Sequence, residues 1–177
     1  MGMNEDLKNL LDKQAITDVI HRYCRGVDRC DVEILKSVYH SDSYDDHGYW
    51  KGNGQEFATF VAGRLTESNS ATTHSVTNTL IDLLDHETAR AESQVMVTLI
   101  RKGDGPPTVD LMGARYLDVF TRNQDVWRIA ERTVVLDWHK CEQWEESNPP
   151  MALDGFKRGA RSNDPLYNFL GLTESSR

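Results

Sequence analysis

Apolar residues recur at helical spacing in the N-terminal part of the chain. Between residues 16 and 31 they follow the spacing i, i+3, i+4, i+7 and i+11, which is one face of an amphipathic helix. These positions are Ile16, Val19, Ile20, Tyr23 and Val27. Asp31 is a favourable N-cap residue type. The pattern therefore predicts a first helix from about Glu5 to Val27 and a second helix after Asp31.

Three more elements are predicted before the middle of the chain. The second helix has its apolar side at Ile34, Leu35, Val38 and Tyr39, and its short connection to the first helix predicts a helical hairpin. Residues 44–52 form an extended segment that is closed by glycines. A third helix begins near Gly54, and its apolar face is formed by Phe57, Phe60, Val61 and Leu65.

The second half of the chain has the composition and alternation of β-strands. Four long runs, residues 72–84, 88–101, 109–121 and 126–138, are separated by short turn sequences. Adjacent long strands of this spacing indicate an antiparallel meander. We therefore predict an α+β fold, a cone-shaped α+β barrel in which N-terminal helices pack on a strongly curved antiparallel or mixed sheet and enclose a pocket.

The length suits one domain, which we assign to residues 1–138. Residues 139–177 show little periodicity and contain Pro149, Pro150 and Pro165. We expect this C-terminal extension to pack over the pocket mouth or on a neighbouring subunit rather than to form a separate domain.

Charge and composition narrow the function classes. The net charge is −8, the pI is about 5.2, and there is no run of Lys and Arg, so we expect no nucleic-acid partner and no docking on anionic membranes. The N-terminus lacks the pattern of a signal peptide, and no apolar run approaches the roughly 20 residues of a membrane span. Three cysteines without CxxC spacing are typical of reduced thiols, which predicts a cytoplasmic protein.

Two groups of polar residues are candidates for chemistry. Asp28 lies at the end of the first helix, where a buried carboxylate needs a partner, and we propose His74 in the strand-like run 72–78. Asn78 has the same strand parity as His74 and is expected to face inward. Asp45 and His47 share one face of the extended segment. The adjacent Asp45 and Asp46 point to opposite faces and cannot easily serve one ion, so we expect no metal.

These segments together resemble a known family. The helix Ile16–Asp28, the run 44–48, the run 73–78 and the run 126–129 are similar to the SnoaL-like branch of the nuclear transport factor 2-like superfamily. This branch includes scytalone dehydratase, hexachlorocyclohexane dehydrochlorinase and bile-acid 7α-dehydratase. The resemblance covers about residues 5–138.

The resemblance implies roles for individual residues. The family's catalytic Asp and His match Asp28 and His74, and its position five residues before the Asp matches Tyr23. The family's pocket Arg matches Arg132, and Tyr116 belongs to the strand positions that face inward by family alignment. A second pocket histidine of scytalone dehydratase has no clear match, so either His47 takes its place or it is absent. The remaining histidines are assigned to surface or structure; they are His21, His40, His86 and His139.

The residues and the resemblance favour an enzyme without a cofactor. The leading hypothesis is a lyase in which His74 is the base, Asp28 orients it, and Tyr23 donates to the developing oxyanion or the leaving hydroxyl of a small aromatic or polycyclic oxygenated substrate. The alternatives are a formaldehyde lyase or isomerase on aromatic diols, and a non-catalytic ligand-binding or association subunit. Outward Val, Leu and Ile side chains on the sheet favour a homo-oligomer, either a dimer or a trimer.

Overall fold

Helices precede a long-stranded sheet in the part of the chain that the computed structural model describes, residues 3–103, 105–145, 155–157, 159 and 163–172. In chain order the elements are α1 (Met3–Arg29), α2 (Val32–Ser37), β1 (Tyr39–Asp46), β2 (Lys51–Asn53), α3 (Gly54–Ser68), β3 (Asn69–Leu83), β4 (Thr88–Arg101), β5 (Thr108–Asn123), β6 (Val126–Gln143) and α4 (Pro165–Phe169). None of the described helices combines the length and apolarity needed to cross a bilayer.

The six strands form one mixed sheet in the order β2-β1-β6-β5-β4-β3. The four long strands pair antiparallel with their chain neighbours, as predicted, whereas β1 pairs parallel with β6. The sheet is not closed into a barrel, because β2 and β3 lie at its two edges. The predicted α+β class, with helices packed on a curved sheet, is confirmed.

The apolar stripe of α1 forms the centre of the core. Ile16, Ile20, Tyr23 and Val27 are all almost fully buried. On α3 the predicted face is correct for Phe57, Val61 and Leu65, which are buried. Phe60 differs, because it is partly exposed and stacks on Trp50 with 4.6 Å between ring centroids.

The second helix is shorter than its apolar pattern suggests. Asp31 caps it as predicted, with its side chain accepting a hydrogen bond from the Ile34 amide at 3.0 Å. The helix ends at Ser37, and Tyr39 already belongs to β1. The Ile129 amide donates to the Val38 carbonyl at 2.9 Å, so pairing with β6 draws the chain out of the helix here.

A β-bulge in β3 changes which side chains face the helices. Val76 pairs with Val95 but Asn78 pairs with Gln94, so Thr77 is one extra residue on this strand. An inserted residue reverses the alternation beyond it. The prediction that Asn78 faces inward is therefore wrong: Asn78 is exposed, and its side chain accepts a hydrogen bond from the Thr77 hydroxyl at 3.0 Å.

The described part of the C-terminal extension packs beside the turn between α1 and α2. Tyr167 of α4 is buried and donates to the Asp31 carboxylate at 2.8 Å, while Asp164 forms an ion pair with Arg29 in which Oδ2 and Nε are 2.9 Å apart. None of these residues lines the cavity described below. The extension also begins later than predicted, because β6 continues to Gln143 opposite Thr108 of β5. Residues 146–154, on which part of that prediction falls, lie outside the described residues.

Candidate active site

A cavity of about 420 Å³ lies between the helices and the inner face of the sheet. This volume is in the range of roughly 300–1,000 Å³ that is usual for small-molecule sites. Most of the wall is aliphatic, including Val27, Val61, Leu65, Val95, Val97 and Leu99. A few polar side chains interrupt this surface, and Tyr23, His47 and His74 are among them.

His74 and Asp28 form a hydrogen-bonded pair at the cavity wall. The Nδ1 atom of His74 lies 2.6 Å from Oδ1 of Asp28, and the backbone amide of His74 donates to Oδ2 at 3.0 Å. Asp28 belongs to the last turn of α1, where the helix dipole disfavours a negative charge. These two donors offset that cost, and they also fasten the end of α1 to β3.

The partner of His74 fixes its tautomer. A carboxylate only accepts hydrogen bonds, so in the neutral ring of His74 the proton is on Nδ1 and the lone pair is on Nε2. The imidazole lines the cavity, and no described residue hydrogen-bonds to Nε2. The pair is therefore built so that one ring nitrogen is oriented by Asp28 and the other can accept a proton from a bound molecule.

A second histidine, His47, also lines the cavity, and a second carboxylate, Asp45, lies behind it. Nδ1 of His47 donates to Oδ1 of Asp45, and the hydroxyl of Tyr39 donates to Oδ2 of Asp45 at 2.6 Å. The hydroxyl of Tyr23 is 3.2 Å from Nε2 of His47. Since Nδ1 holds the ring proton, Tyr23 is the donor in that contact. The result is a continuous chain of hydrogen bonds from buried Asp45 to the cavity.

The surroundings of His47 favour its neutral form. Its ring stacks on Phe57 with 4.1 Å between centroids, and only a tenth of its side chain is exposed. Burial lowers the pKa of His47 below its ordinary value, although the adjacent Asp45 opposes this shift. A neutral His47 is the form that accepts a hydrogen bond from Tyr23.

We expect His47 to titrate below about 6.5, the ordinary pKa of histidine. The pKa of His47 is lower in the folded chain than in the unfolded chain, so the unfolded chain binds more protons at this residue. His47 therefore makes the fold less stable as the pH falls below about 6.5. Nitrogen-15 NMR of labelled histidine can follow the titration, with His47→Gln used to assign the signal. A midpoint above 6.5 would contradict this account.

Arg132 does not line the cavity, contrary to the prediction. It is completely buried, and its Nε and Nη2 atoms donate to the two carboxylate oxygens of Asp118, each at 2.7 Å. Its guanidinium lies between two phenol rings, 4.1 Å from the centroid of Tyr23 and 4.1 Å from that of Tyr116. Arg132 is thus a support behind the two tyrosines.

Tyr23 and Tyr116 present their rings to the cavity from opposite elements. They meet edge to face with 5.6 Å between centroids, one from α1 and the other from β5. Burial raises the pKa of both phenols well above the ordinary value. Both hydroxyls therefore stay protonated at neutral pH and are available as donors.

The structure brings together most, but not all, of the predicted site residues. Six line the cavity or form a hydrogen bond with a residue that lines it: Tyr23, Asp28, Asp45, His47, His74 and Tyr116. Arg132 is one layer behind, and Asn78 points away. His139, which we assigned to surface or structure, lines the cavity. The chemical roles of the predicted site residues stay predictions.

Several contributors were missed by the sequence reasoning. Tyr39 looked like a core residue of the second helix, and Asp118 gave no local signal. Arg64 and Arg101 also line the cavity. The inward alternation of β4, in which Val95, Val97, Leu99 and Arg101 share a face, is the signal that would have found Arg101.

The model of the SnoaL-like domain family matches residues 8–133. The structure is similar to hexachlorocyclohexane dehydrochlorinase LinA type 2, with a TM-score of 0.73 and 21% identity over 82% of this chain and 98% of the other. The type 3 enzyme from Novosphingobium barchaimii gives a TM-score of 0.72 and 19% identity over 82% and 99%. A scytalone dehydratase-like protein from Novosphingobium aromaticivorans gives 0.68 and 17% over 85% and 98%. A comparison with curated protein sequences finds no match.

The match to the SnoaL-like domain model, together with the curved open sheet and the cavity beneath N-terminal helices, places the chain in the nuclear transport factor 2-like superfamily. Within that superfamily, the chain belongs to the SnoaL-like domain family.

Proposed function

We propose that the protein is a cofactor-independent lyase that removes a leaving group from a small aromatic or polycyclic oxygenated substrate, with dehydration as the leading reaction. The observation that carries the proposal is the His74–Asp28 pair, whose imidazole lines a largely aliphatic cavity and whose Nε2 atom has no hydrogen-bond partner among the described residues. The similarity to a dehydrochlorinase and to a dehydratase-like protein supports the reaction class, since both names denote eliminations.

The first step is transfer of a proton from carbon to nitrogen. A C–H bond beside an electron-withdrawing group breaks, its proton goes to Nε2 of His74, and the electron pair forms the new double bond. Asp28 then faces an imidazolium, which its carboxylate stabilises. The aliphatic wall keeps water away from the reacting atoms and strengthens this charge interaction.

The leaving group is bound by Tyr23. Tyr23 is protonated and donates a hydrogen bond to the oxygen as the C–O bond breaks, in place of its contact with His47. The hydroxide that departs takes the proton held by His74 and leaves as water. The base is then neutral again, and no external reactant is consumed.

Loss of formaldehyde from an aromatic diol is the second candidate. This reaction begins with removal of a proton from a hydroxyl group rather than from carbon. The Tyr23–His47–Asp45 chain favours it, because a neutral His47 held by Asp45 is a second acceptor at the same cavity.

A substrate screen tests both candidates. Aromatic and polycyclic alcohols and diols are incubated with the protein, and mass spectrometry is used to detect loss of water or of formaldehyde. Parallel incubation in D₂O detects exchange of the C–H proton before elimination. His74→Gln is the control. Compounds that bind in the cavity but undergo neither reaction nor exchange would favour a ligand-binding subunit instead.

A further inference from the structure

The charge of the cavity wall is opposite to that of the protein. The chain has 28 acidic and 20 basic residues, and its net charge is −8. The described residues that line the cavity nevertheless include two arginines and three histidines but no aspartate or glutamate. The proposed lyase chemistry uses two of these histidines, so Arg64, Arg101 and His139 are unexplained by it.

Arg64 is a cation without a carboxylate partner among the described residues. It extends from α3, and its guanidinium lies 4.4 Å from the centroid of the Tyr49 ring. This contact holds the side chain at the cavity wall, and no described residue accepts a hydrogen bond from its guanidinium N–H groups. The charge of Arg64 is therefore available to a ligand.

Arg101 lines the same cavity as Arg64 and is held in position by Asp110. Its Nε atom donates to one oxygen of Asp110, and Nε2 of His139 lies 3.0 Å from the other. Asp110 balances the charge of Arg101, whereas Arg64 has no carboxylate partner among the described residues, so the two guanidinium groups together keep one unbalanced positive charge. No described residue accepts from the Nη atoms of Arg101, so they can donate to a second anion.

The cationic group is well separated from the proposed base. His74 pairs with Val97 across β3 and β4, and Arg101 follows four residues later on β4. At about 3.3 Å per residue this is roughly 13 Å. Val97 and Leu99 lie along that distance, so the space between base and cations is apolar.

We propose that the substrate is an aromatic or polycyclic carboxylate, whose carboxylate group is bound by Arg64 and Arg101 while its reacting carbon lies at His74. A carboxylate fits because its two oxygens match the paired N–H groups of guanidinium. This proposal deepens the lyase function and rests on it for the position of the reacting carbon. Binding of the carboxylate itself does not depend on turnover.

The test compares two probes of the same shape, biphenyl-4-carboxylate and biphenyl-4-carboxamide. Calorimetry on the full chain should show that the acid binds at least about tenfold more tightly than the amide, as expected for charge-assisted hydrogen bonds. Arg64→Gln should remove most of this preference and Arg64→Lys should keep part of it. Arg90→Gln, an exposed arginine of β4 away from the cavity, is the matched control and should change nothing.

Three results would overturn the proposal: equal affinity for the acid and the amide, an equal loss of affinity for both probes in Arg64→Gln, or no binding of the acid at millimolar concentration. The lyase proposal fails separately. Tighter binding of the acid than of the amide, without elimination of any substrate, would contradict only the lyase reaction. Elimination of neutral substrates, without tighter binding of the acid, would contradict only the carboxylate site.

Discussion

Replacing His74 with glutamine is expected to lower kcat by about 10²- to 10⁴-fold, the usual contribution of a positioned general base. Glutamine keeps a hydrogen-bond donor for Asp28 but has no basic nitrogen for the substrate proton. The side chain of His74 faces the cavity rather than the core, so the fold should stay intact. The measurement is turnover of the substrate found by the screen, with thermal unfolding recorded for each variant.

Asp28→Asn is a second test of the His74–Asp28 pair. The amide no longer favours the tautomer with the proton on Nδ1, so fewer molecules present a free Nε2 lone pair. Because the two residues act as one unit, the double variant should lose about as much activity as His74→Gln alone.

The control is His21→Gln, which changes an exposed histidine of α1 away from the cavity. Wild-type activity in His74→Gln would exclude His74 as the base. Losses that multiply in the double variant would show that Asp28 acts independently of His74.

The local patterns of the sequence were enough to place one half of the site. The stripe from Ile16 to Val27 fixes the buried face of α1, and this puts Tyr23 inside and Asp28 at the helix end facing β3. Alternation along the extended segment puts Asp45 and His47 on one face, where they form a hydrogen bond. Periodicity determines such facts because they depend on one element or on its nearest neighbour.

Irregular strand pairing explains what could not be predicted. A single extra residue, Thr77, turns Asn78 outward. The pairing of β5 with β6 contains two further register shifts, and one of them lies between Val119 and Phe120. Extending the pairing of Phe120 with Ile129 without that shift would place Asp118 opposite Glu131. With the shift, Asp118 meets Arg132, and the buried ion pair forms.

That ion pair leads to the largest expected effect on stability. Asp118 and Arg132 have no exposed side-chain surface, and both carboxylate oxygens of Asp118 accept from Arg132. Burial opposes the charge on Arg132, but Asp118 keeps the pKa of the guanidinium well above its ordinary value. Because arginine is not deprotonated in proteins, Arg132 stays charged even in a variant that lacks Asp118.

Asp118→Asn should lower the free energy of unfolding by about 3–5 kcal/mol, because it leaves a buried charge without its counter-ion. For a chain of this size the expected fall in Tm is roughly 6–20 °C. The measurement is denaturant and thermal unfolding at neutral pH. The matched control is Glu92→Gln, which removes one partner of the exposed pair Glu92–Arg115 on the same sheet. This variant should change the free energy of unfolding little, because solvent screens the exposed pair.

The double variant Arg132→Met with Asp118→Leu distinguishes the cost of an unpaired charge from the worth of the pair. Removing both charges together should restore most of the lost stability, since a buried ion pair contributes little over apolar residues of similar volume. This double variant also removes the Arg132 guanidinium that contacts the rings of Tyr23 and Tyr116. The two phenols would therefore lose their shared support although the stability of the fold recovers. Recovered stability with reduced turnover would mean that Arg132 serves the site rather than the fold. Stability that stays as low as in Asp118→Asn would contradict this account, because the loss could then not come from an unpaired charge.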